Sequence, residues 1–132
     1  MVQRVLLDTH VVLWAMQEPA RLGSQRELLG DPAVTRVVSA VVVWEVAIKV
    51  GLGRLRLPMP VAAWASRAVS DLAAERAPIT DQHAAAVAEL PHHHHDPFDR
   101  LLVAQARFLD VPLVTADPVL RAYDVEIIEI ES

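Results

Sequence analysis

Four acidic residues lie in apolar stretches of the chain, where a carboxylate is costly unless a partner compensates its charge. They are Asp8, Glu45, Asp99 and Asp117. The first and last follow short apolar runs typical of buried strands, and parallel sheets bind ligands at such strand ends. The other two lie on helical faces whose neighbours at three- and four-residue spacing are mostly apolar. If the four carboxylates converge, their repulsion is severe, and a divalent cation is the natural resolution. Oxygen ligands in a chain without cysteine favour Mg²⁺ or Mn²⁺ over zinc.

Each acidic residue also has an ordinary structural explanation when it is taken alone. Asp8 and Asp117 could cap the helices that follow them. Glu45 could pair with Lys49 one helical turn away. Asp99 suits the positive end of a helix dipole. The four together are less ordinary. Without them, 17 acidic residues become 13 against 12 basic ones, so the rest of the chain is nearly neutral.

Composition predicts one globular domain over residues 1–132. The chain is 53% hydrophobic and 22% charged, which allows a sizeable core. A net charge of −5 argues against a broad basic surface for nucleic acid, although it allows a nuclease whose negative charge is concentrated at a metal site. No apolar run approaches the ~18 residues of a membrane span, and the first residues do not resemble a signal peptide. We therefore expect a cytoplasmic protein without membrane contact.

The pattern of strands and helices alternates along the chain, which predicts an α/β fold with a mainly parallel sheet. The predicted strands are 2–7, 35–39, 77–79, 111–117 and 125–130, the last at an edge. The predicted helices are 9–18, 24–29 with Ser24 as cap, 40–53, 60–76, 81–90 and 96–109, with a short one after Asp117.

Four motifs in this order resemble a known family. The stretches LLDTHVVLWAM, SAVVVWEVAIKVGLGRL, HHDPFDRLLVAQA and PLVTADPVLRAYDVEII are similar to those of PIN-domain ribonucleases, and more narrowly to VapC-type toxins of bacterial toxin–antitoxin pairs. The resemblance spans nearly the whole chain. It implies a three-layer fold with a central sheet flanked by helices. It also implies an endoribonuclease dependent on Mg²⁺ or Mn²⁺, an RNA substrate, a VapB-type antitoxin as partner and a homodimer.

The resemblance also assigns residue roles. The family's four acids correspond to Asp8, Glu45, Asp99 and Asp117, as metal ligands and catalytic residues. Supporting roles fall to Thr9, Asp96 and Thr115. Candidate RNA phosphate contacts are Lys49, Arg54, Arg56 and Arg100, for each of which a solvated surface charge is the alternative. On the helix itself, Arg100 and Arg107 are interpreted as solvent-seeking.

The histidine run His92–His95 stands between two predicted helices, so we interpret it as native rather than as a tag. Adjacent histidines on an extended loop point in different directions and rarely serve one ion. The run is predicted to be a polar connector, with one imidazole near the RNA or the cleft as the functional alternative.

Two other functions compete with the nuclease. One is a catalytically inactive PIN-like module that binds a metal or a partner protein. The other is a phosphatase-like phosphoryl-transfer domain. The sequence disfavours the latter because no second aspartate follows Asp8 by two residues and no Gly-rich phosphate loop is present.

Overall fold

A five-stranded parallel sheet forms the centre of the protein in the computed structural model, which describes residues 3–131. The strand order is β3-β2-β1-β4-β5, and every neighbouring pair is parallel. The strands are Gln3–Leu7 (β1), Val34–Ser39 (β2), Glu75–Ala77 (β3), Leu113–Thr115 (β4) and Ile127–Glu129 (β5). The predicted first strand residue, Val2, lies outside the described residues. The predicted edge position of the last strand is confirmed.

Six α-helices and three 3₁₀ segments connect the strands in the described part of the chain. The α-helices are Thr9–Gln17 (α1), Arg26–Gly30 (α2), Ala40–Gly51 (α3), Val61–Asp71 (α4), Asp81–Ala86 (α5) and Pro97–Leu109 (α6). The 3₁₀ segments are Pro19–Gln25, Val87–Glu89 and Pro118–Ala122. No helix among the described residues is long and apolar enough to cross a membrane.

The order of the strands reverses between β1 and β4. The chain runs outward from β1 through β2 to β3, and then returns to the other side of β1 to form β4 and β5. Because parallel crossovers are right-handed, the connections on the two sides of this reversal cover opposite faces of the sheet. The predicted three-layer α/β fold is therefore confirmed. Such a reversal leaves a crevice at the carboxyl ends of the two central strands, where open sheets bind ligands.

The core sits on both faces of the central strands. Val5, Leu6 and Leu7 of β1 are all buried, which is why this strand reads as a continuous apolar run instead of alternating. Leu113 and Val114 of β4 are buried beside them. This packing fixes where β1 and β4 end in the sheet. It therefore also fixes the positions of the residues that follow each strand.

Three local predictions were wrong. Ser24 does not cap a helix, since it lies inside the 3₁₀ segment and α2 begins at Arg26 without a side-chain cap. The helix predicted to reach residue 76 ends at Asp71, because Ala73 adopts a left-handed conformation with φ of 47°. The strand predicted at 77–79 consequently begins earlier, at Glu75.

Candidate active site

Asp8 follows β1 and both of its carboxylate oxygens are engaged. Oδ1 accepts from the backbone N–H of Val11 at 3.0 Å, which caps α1. Oδ2 accepts a hydrogen bond from the hydroxyl of Thr115 at the end of β4. Asp8 is 5% exposed and Thr115 is fully buried. The cap explanation is thus confirmed, and it uses only one of the two carboxylate oxygens.

Glu45 projects from α3 toward the same crevice and is only 3% exposed. Its Oε1 accepts from the hydroxyl of Thr9 at 2.7 Å, and its Oε2 lies 2.6 Å from Nζ of Lys49. The intrahelical ion pair offered as the alternative to a site residue does form. The pair forms at the wall of the cleft and not on a solvated helix face. The Lys49 ammonium therefore compensates the charge of the buried Glu45 carboxylate.

Asp99 belongs to the first turn of α6, which Asp96 caps. The Asp96 Oδ1 accepts from the backbone N–H groups of Phe98 at 2.8 Å and of Asp99 at 3.2 Å. Pro97 at the first helical position costs no hydrogen bond there. With the backbone amides satisfied by Asp96, the Asp99 side chain is free to face the cleft.

Asp117 lies two residues beyond β4 and meets a histidine from the His92–His95 run. Its Oδ1 accepts from the backbone N–H of Val119 at 3.0 Å, and its backbone N–H donates to Oγ1 of Thr115 at 3.1 Å. Its Oδ2 lies 2.9 Å from Nε2 of His94, and the same nitrogen lies 3.2 Å from Oδ2 of Asp99. The nitrogen and carboxylate oxygens of these three side chains lie within 4.8 Å of one another.

Burial and mutual repulsion shift the acidity of this cluster. Burial raises the pKa of Asp8 from its usual value, against the lowering effect of its hydrogen bond from Thr115. Burial raises the pKa of Asp99 to about 7, and the negative charges of Asp96, Asp8 and Glu45 contribute further. A carboxylate whose pKa is raised keeps its proton to a higher pH than usual unless a metal cation replaces that proton.

All four predicted acids line one cleft of about 590 Å³ at the strand reversal. Its lining residues are Asp8, His10, Trp14, Arg21, Glu45, Lys49, His94, Asp96, Asp99, Ala116 and Asp117. The donor set is dominated by carboxylate oxygens. Burial raises the pKa of Asp99 and the neighbouring negative charges raise it further, and a divalent cation relieves that repulsion. The residues present therefore fit a hard divalent metal.

The predicted supporting residues Thr9, Thr115 and Asp96 lie at the site, whereas the predicted basic residues differ in position. Thr9 and Thr115 hold Glu45 and Asp8 as described, and Lys49 lines the cleft. Arg54 and Arg56 are exposed and do not line the cleft.

Arg100 is a correction, because the prediction that it seeks solvent was wrong. It is 8% exposed, and its guanidinium donates to the carbonyls of Pro91 at 2.8 Å and Val87 at 3.1 Å. It also donates to the phenol oxygen of Tyr123 at 3.2 Å. A buried fork of donors committed in this way braces the histidine loop against α6, and these internal contacts are the alternative to the predicted RNA contact of Arg100.

Five cleft residues were not assigned from the sequence: His10, Trp14, Arg21, His94 and Ala116. Trp14 and Arg21 form a cation–π pair, with the guanidinium carbon 4.3 Å from the ring centroid. One imidazole near the cleft had been the alternative for the histidine run, and His94 occupies that place. His10 and Trp14 are four residues apart on α1, and their rings lie 5.9 Å apart. This spacing was the sequence signal that could have placed both side chains on the same face of the helix.

Comparison with known proteins identifies the family. The PIN domain matches residues 5–126, so this chain belongs to the PIN-domain family and the predicted resemblance is confirmed. Within that family it is similar to ribonuclease VapC22 of Mycobacterium tuberculosis. The two are 33% identical over 120 residues, which are 90% of this chain and 91% of the relative.

Solved structures support the same fold. The chain superimposes with a TM-score of 0.73 on a chain of the VapBC2 complex of Rickettsia felis bound to a promoter DNA fragment, at 16% identity, covering 98% of this chain and all of that one. A DNA-bound VapBC complex from Salmonella typhimurium gives a TM-score of 0.69 at 15% identity, covering 99% of this chain and all of that one. At such identities the likeness concerns the fold.

Proposed function

We propose that this protein is a metal-dependent endoribonuclease that hydrolyses RNA phosphodiesters, and that it is the toxin of a type II toxin–antitoxin pair. The observation that carries the proposal is the convergence of four carboxylates from separate parts of the chain on one cleft at the strand reversal. The similarity to a VapC ribonuclease supports the same chemistry.

Asp8 and Asp99 are the primary ligands in this proposal, and Glu45 and Asp117 complete the site directly or through water. Mg²⁺ or Mn²⁺ is the expected ion, since hard oxygen ligands dominate the set. When bound, the ion supplies an activated water and stabilises negative charge on the scissile phosphate.

The protein's own residues keep these carboxylates in place. Thr115 and Thr9 orient Asp8 and Glu45 through their hydroxyls. Lys49 neutralises part of the negative charge beside Glu45, which reduces the repulsion that an incoming phosphate meets. Each contact fixes a carboxylate in one rotamer, as a preorganised site requires.

The partners follow from the same family membership. We propose that residues 1–132 form a single domain, that it assembles as a homodimer, and that a VapB-type antitoxin holds it inactive. The structural neighbours that contain VapBC complexes support the antitoxin part of this proposal. An RNA target and a partner of this type imply action in the cytoplasm.

Replacement of Asp99 by Asn tests the nuclease function. Purified protein would be incubated with structured RNA in Mn²⁺ or Mg²⁺, and cleavage would be followed on gels. We expect Asp99→Asn and added EDTA each to reduce cleavage on the order of 100-fold or more, because the ion stabilises charge in the transition state. The matched control Asp124→Asn changes an exposed aspartate outside the cleft and should cleave normally.

The competing function, a binding module that does not cut, predicts a different result. Wild-type protein would then bind Mn²⁺ in calorimetry yet leave every RNA intact. Cleavage that persists in Asp99→Asn would instead point to a contaminating nuclease and count against the site.

A further inference from the structure

His94 is held in one orientation by contacts on three sides. Its backbone N–H donates to the phenol oxygen of Tyr123 at 3.0 Å. Its Nδ1 accepts from the backbone N–H of Asp96 at 3.2 Å, and its Nε2 faces Asp99 and Asp117. The other three histidines of the run are exposed, so this constraint singles out His94.

The contact to Asp96 determines which ring nitrogen carries the proton. A nitrogen that accepts a hydrogen bond is unprotonated, so the neutral His94 ring bears its proton on Nε2. That N–H is therefore a donor directed at the carboxylate oxygens 2.9 Å and 3.2 Å away. The same nitrogen could ligate a metal only if the proton moved to Nδ1, where it would meet the N–H of Asp96.

We propose that His94 binds substrate by donating its Nε2–H to a non-bridging oxygen of an RNA phosphate at the cleft. This inference rests on the proposed nuclease function. A cation held by Asp99 and Asp117 would compete for the oxygens that now accept from Nε2. The donor would then need a new acceptor, and phosphate oxygens of the RNA backbone have the required chemistry.

Lys49 and Arg21, which also line the cleft, each have partners other than Asp99 and Asp117. Nζ of Lys49 lies 2.6 Å from Glu45, and Arg21 lies over the ring of Trp14 with Nη1 3.6 Å from Glu18. His94 is the donor placed directly beside Asp99 and Asp117.

Nitrogen NMR tests the protonation pattern without any activity measurement. In ¹⁵N-labelled protein, with His94→Gln used to assign the ring, we expect a protonated Nε2 and an unprotonated Nδ1 in EDTA. The same pattern should persist in Mg²⁺, which is diamagnetic. Loss of the Nε2 proton when Mg²⁺ is added would make His94 a metal ligand and overturn the proposal.

Kinetics with a set of variants test the role toward RNA. His94→Ala should lower kcat/KM for RNA about tenfold or more, because a hydrogen bond to a charged phosphate is lost. His94→Gln retains an N–H near the position of Nε2 and should recover most of this loss. The matched control His95→Ala, an exposed neighbour, should behave as wild type. Affinity for Mn²⁺, measured by calorimetry, should not fall in His94→Ala.

The possible results distinguish a failure of the His94 role from a failure of the proposed nuclease function. A wild-type enzyme that cleaves, with His94→Ala equally active, would overturn the role of His94 alone. So would a tenfold loss of Mn²⁺ affinity in His94→Ala, or a His94→Gln variant as impaired as His94→Ala. A wild-type protein that never cleaves RNA would overturn the nuclease function, and the inference with it.

Discussion

At the scale of residues, the carboxylates of the site each serve two purposes. Asp8 and Asp117 cap the elements that follow them with one oxygen and present the other to the cleft. Glu45 joins an ion pair and a buried hydrogen bond while facing the same space. A capped and hydrogen-bonded carboxylate has little rotamer freedom left to lose, so its position is fixed before any ligand arrives.

Asp99 differs, because its charged form is destabilised in the folded protein. Its pKa is raised to about 7 in the folded protein. At pH 8 Asp99 is therefore ionised in the metal-free protein, and its negative charge has a higher free energy in the folded state than in the unfolded chain. We therefore expect Asp99→Asn to raise the melting temperature in EDTA at pH 8 by several degrees. At pH 5 the difference should shrink, because Asp99 is then protonated in the wild type.

Thermal unfolding in EDTA at the two pH values measures this effect, with Asp124→Asn as control. A variant that is less stable than wild type at pH 8 would show that Asp99 stabilises the fold instead. In Mn²⁺ the order should reverse, because the wild type alone keeps a complete ligand set.

At the scale of elements, α6 combines site and scaffold on adjacent residues. Asp99 faces the cleft, while Arg100 turns into the protein and ties the preceding loop to it through backbone carbonyls. Tyr123 accepts from both Arg100 and the backbone of His94, so it links the loop to the segment after β4. The histidine run is thus braced as part of the site wall.

Replacing this brace should destabilise the protein. Arg100→Met keeps much of the side-chain volume but leaves buried carbonyls without their donor. We expect the free energy of unfolding, measured with urea, to fall by about 2–4 kcal/mol. Arg107→Met, an exposed arginine on the same helix, should change it by less than about 0.5 kcal/mol. If Arg100→Met had normal stability but no longer bound RNA, the predicted phosphate contact of Arg100 would be supported and its bracing role contradicted.

At the scale of the whole molecule, the site couples stability to pH and metal. The pKa values of Asp8 and Asp99 are both raised on folding, so their protonated forms are favoured in the native state. Their favourable contribution is complete below the ordinary pKa near 4 and is lost as pH rises through about 7 for Asp99. A bound cation compensates the negative charges of the ionised carboxylates, so this loss of stability does not occur in the metal-bound protein.

We therefore expect the stability of the metal-free protein to fall relative to the metal-bound protein as pH rises from about 4 to above 7. Affinity for Mn²⁺ should increase over the same range and level off above it, since binding displaces protons. Urea unfolding with and without Mn²⁺, and calorimetry in buffers of different ionisation enthalpy, measure both effects. A metal affinity independent of pH between 5 and 7 would contradict the raised pKa of Asp99.

The four acids could be predicted because each leaves a local mark: an acid after an apolar strand, or an acid in an apolar helical stripe. The end of α4 could not be predicted in this way, because the residue with the left-handed conformation is Ala73 and not a glycine. Arg100 was misassigned because a lone arginine on a helix resembles a surface residue until its carbonyl partners are in place. His94 depends on Tyr123 and Asp96 together, and no spacing rule connects them.

The pairing of β1 with β4 also has a consequence for protein synthesis. Asp8 leaves the ribosome well before its hydrogen-bond partner Thr115, which lies 107 positions later. The central strand β1 therefore lacks its second neighbour until β4 has been synthesised, and such distant pairings form slowly. A growing chain cannot complete the cleft before that point, so the assembled nuclease arises only after β4 has emerged, when a partner already synthesised could capture it.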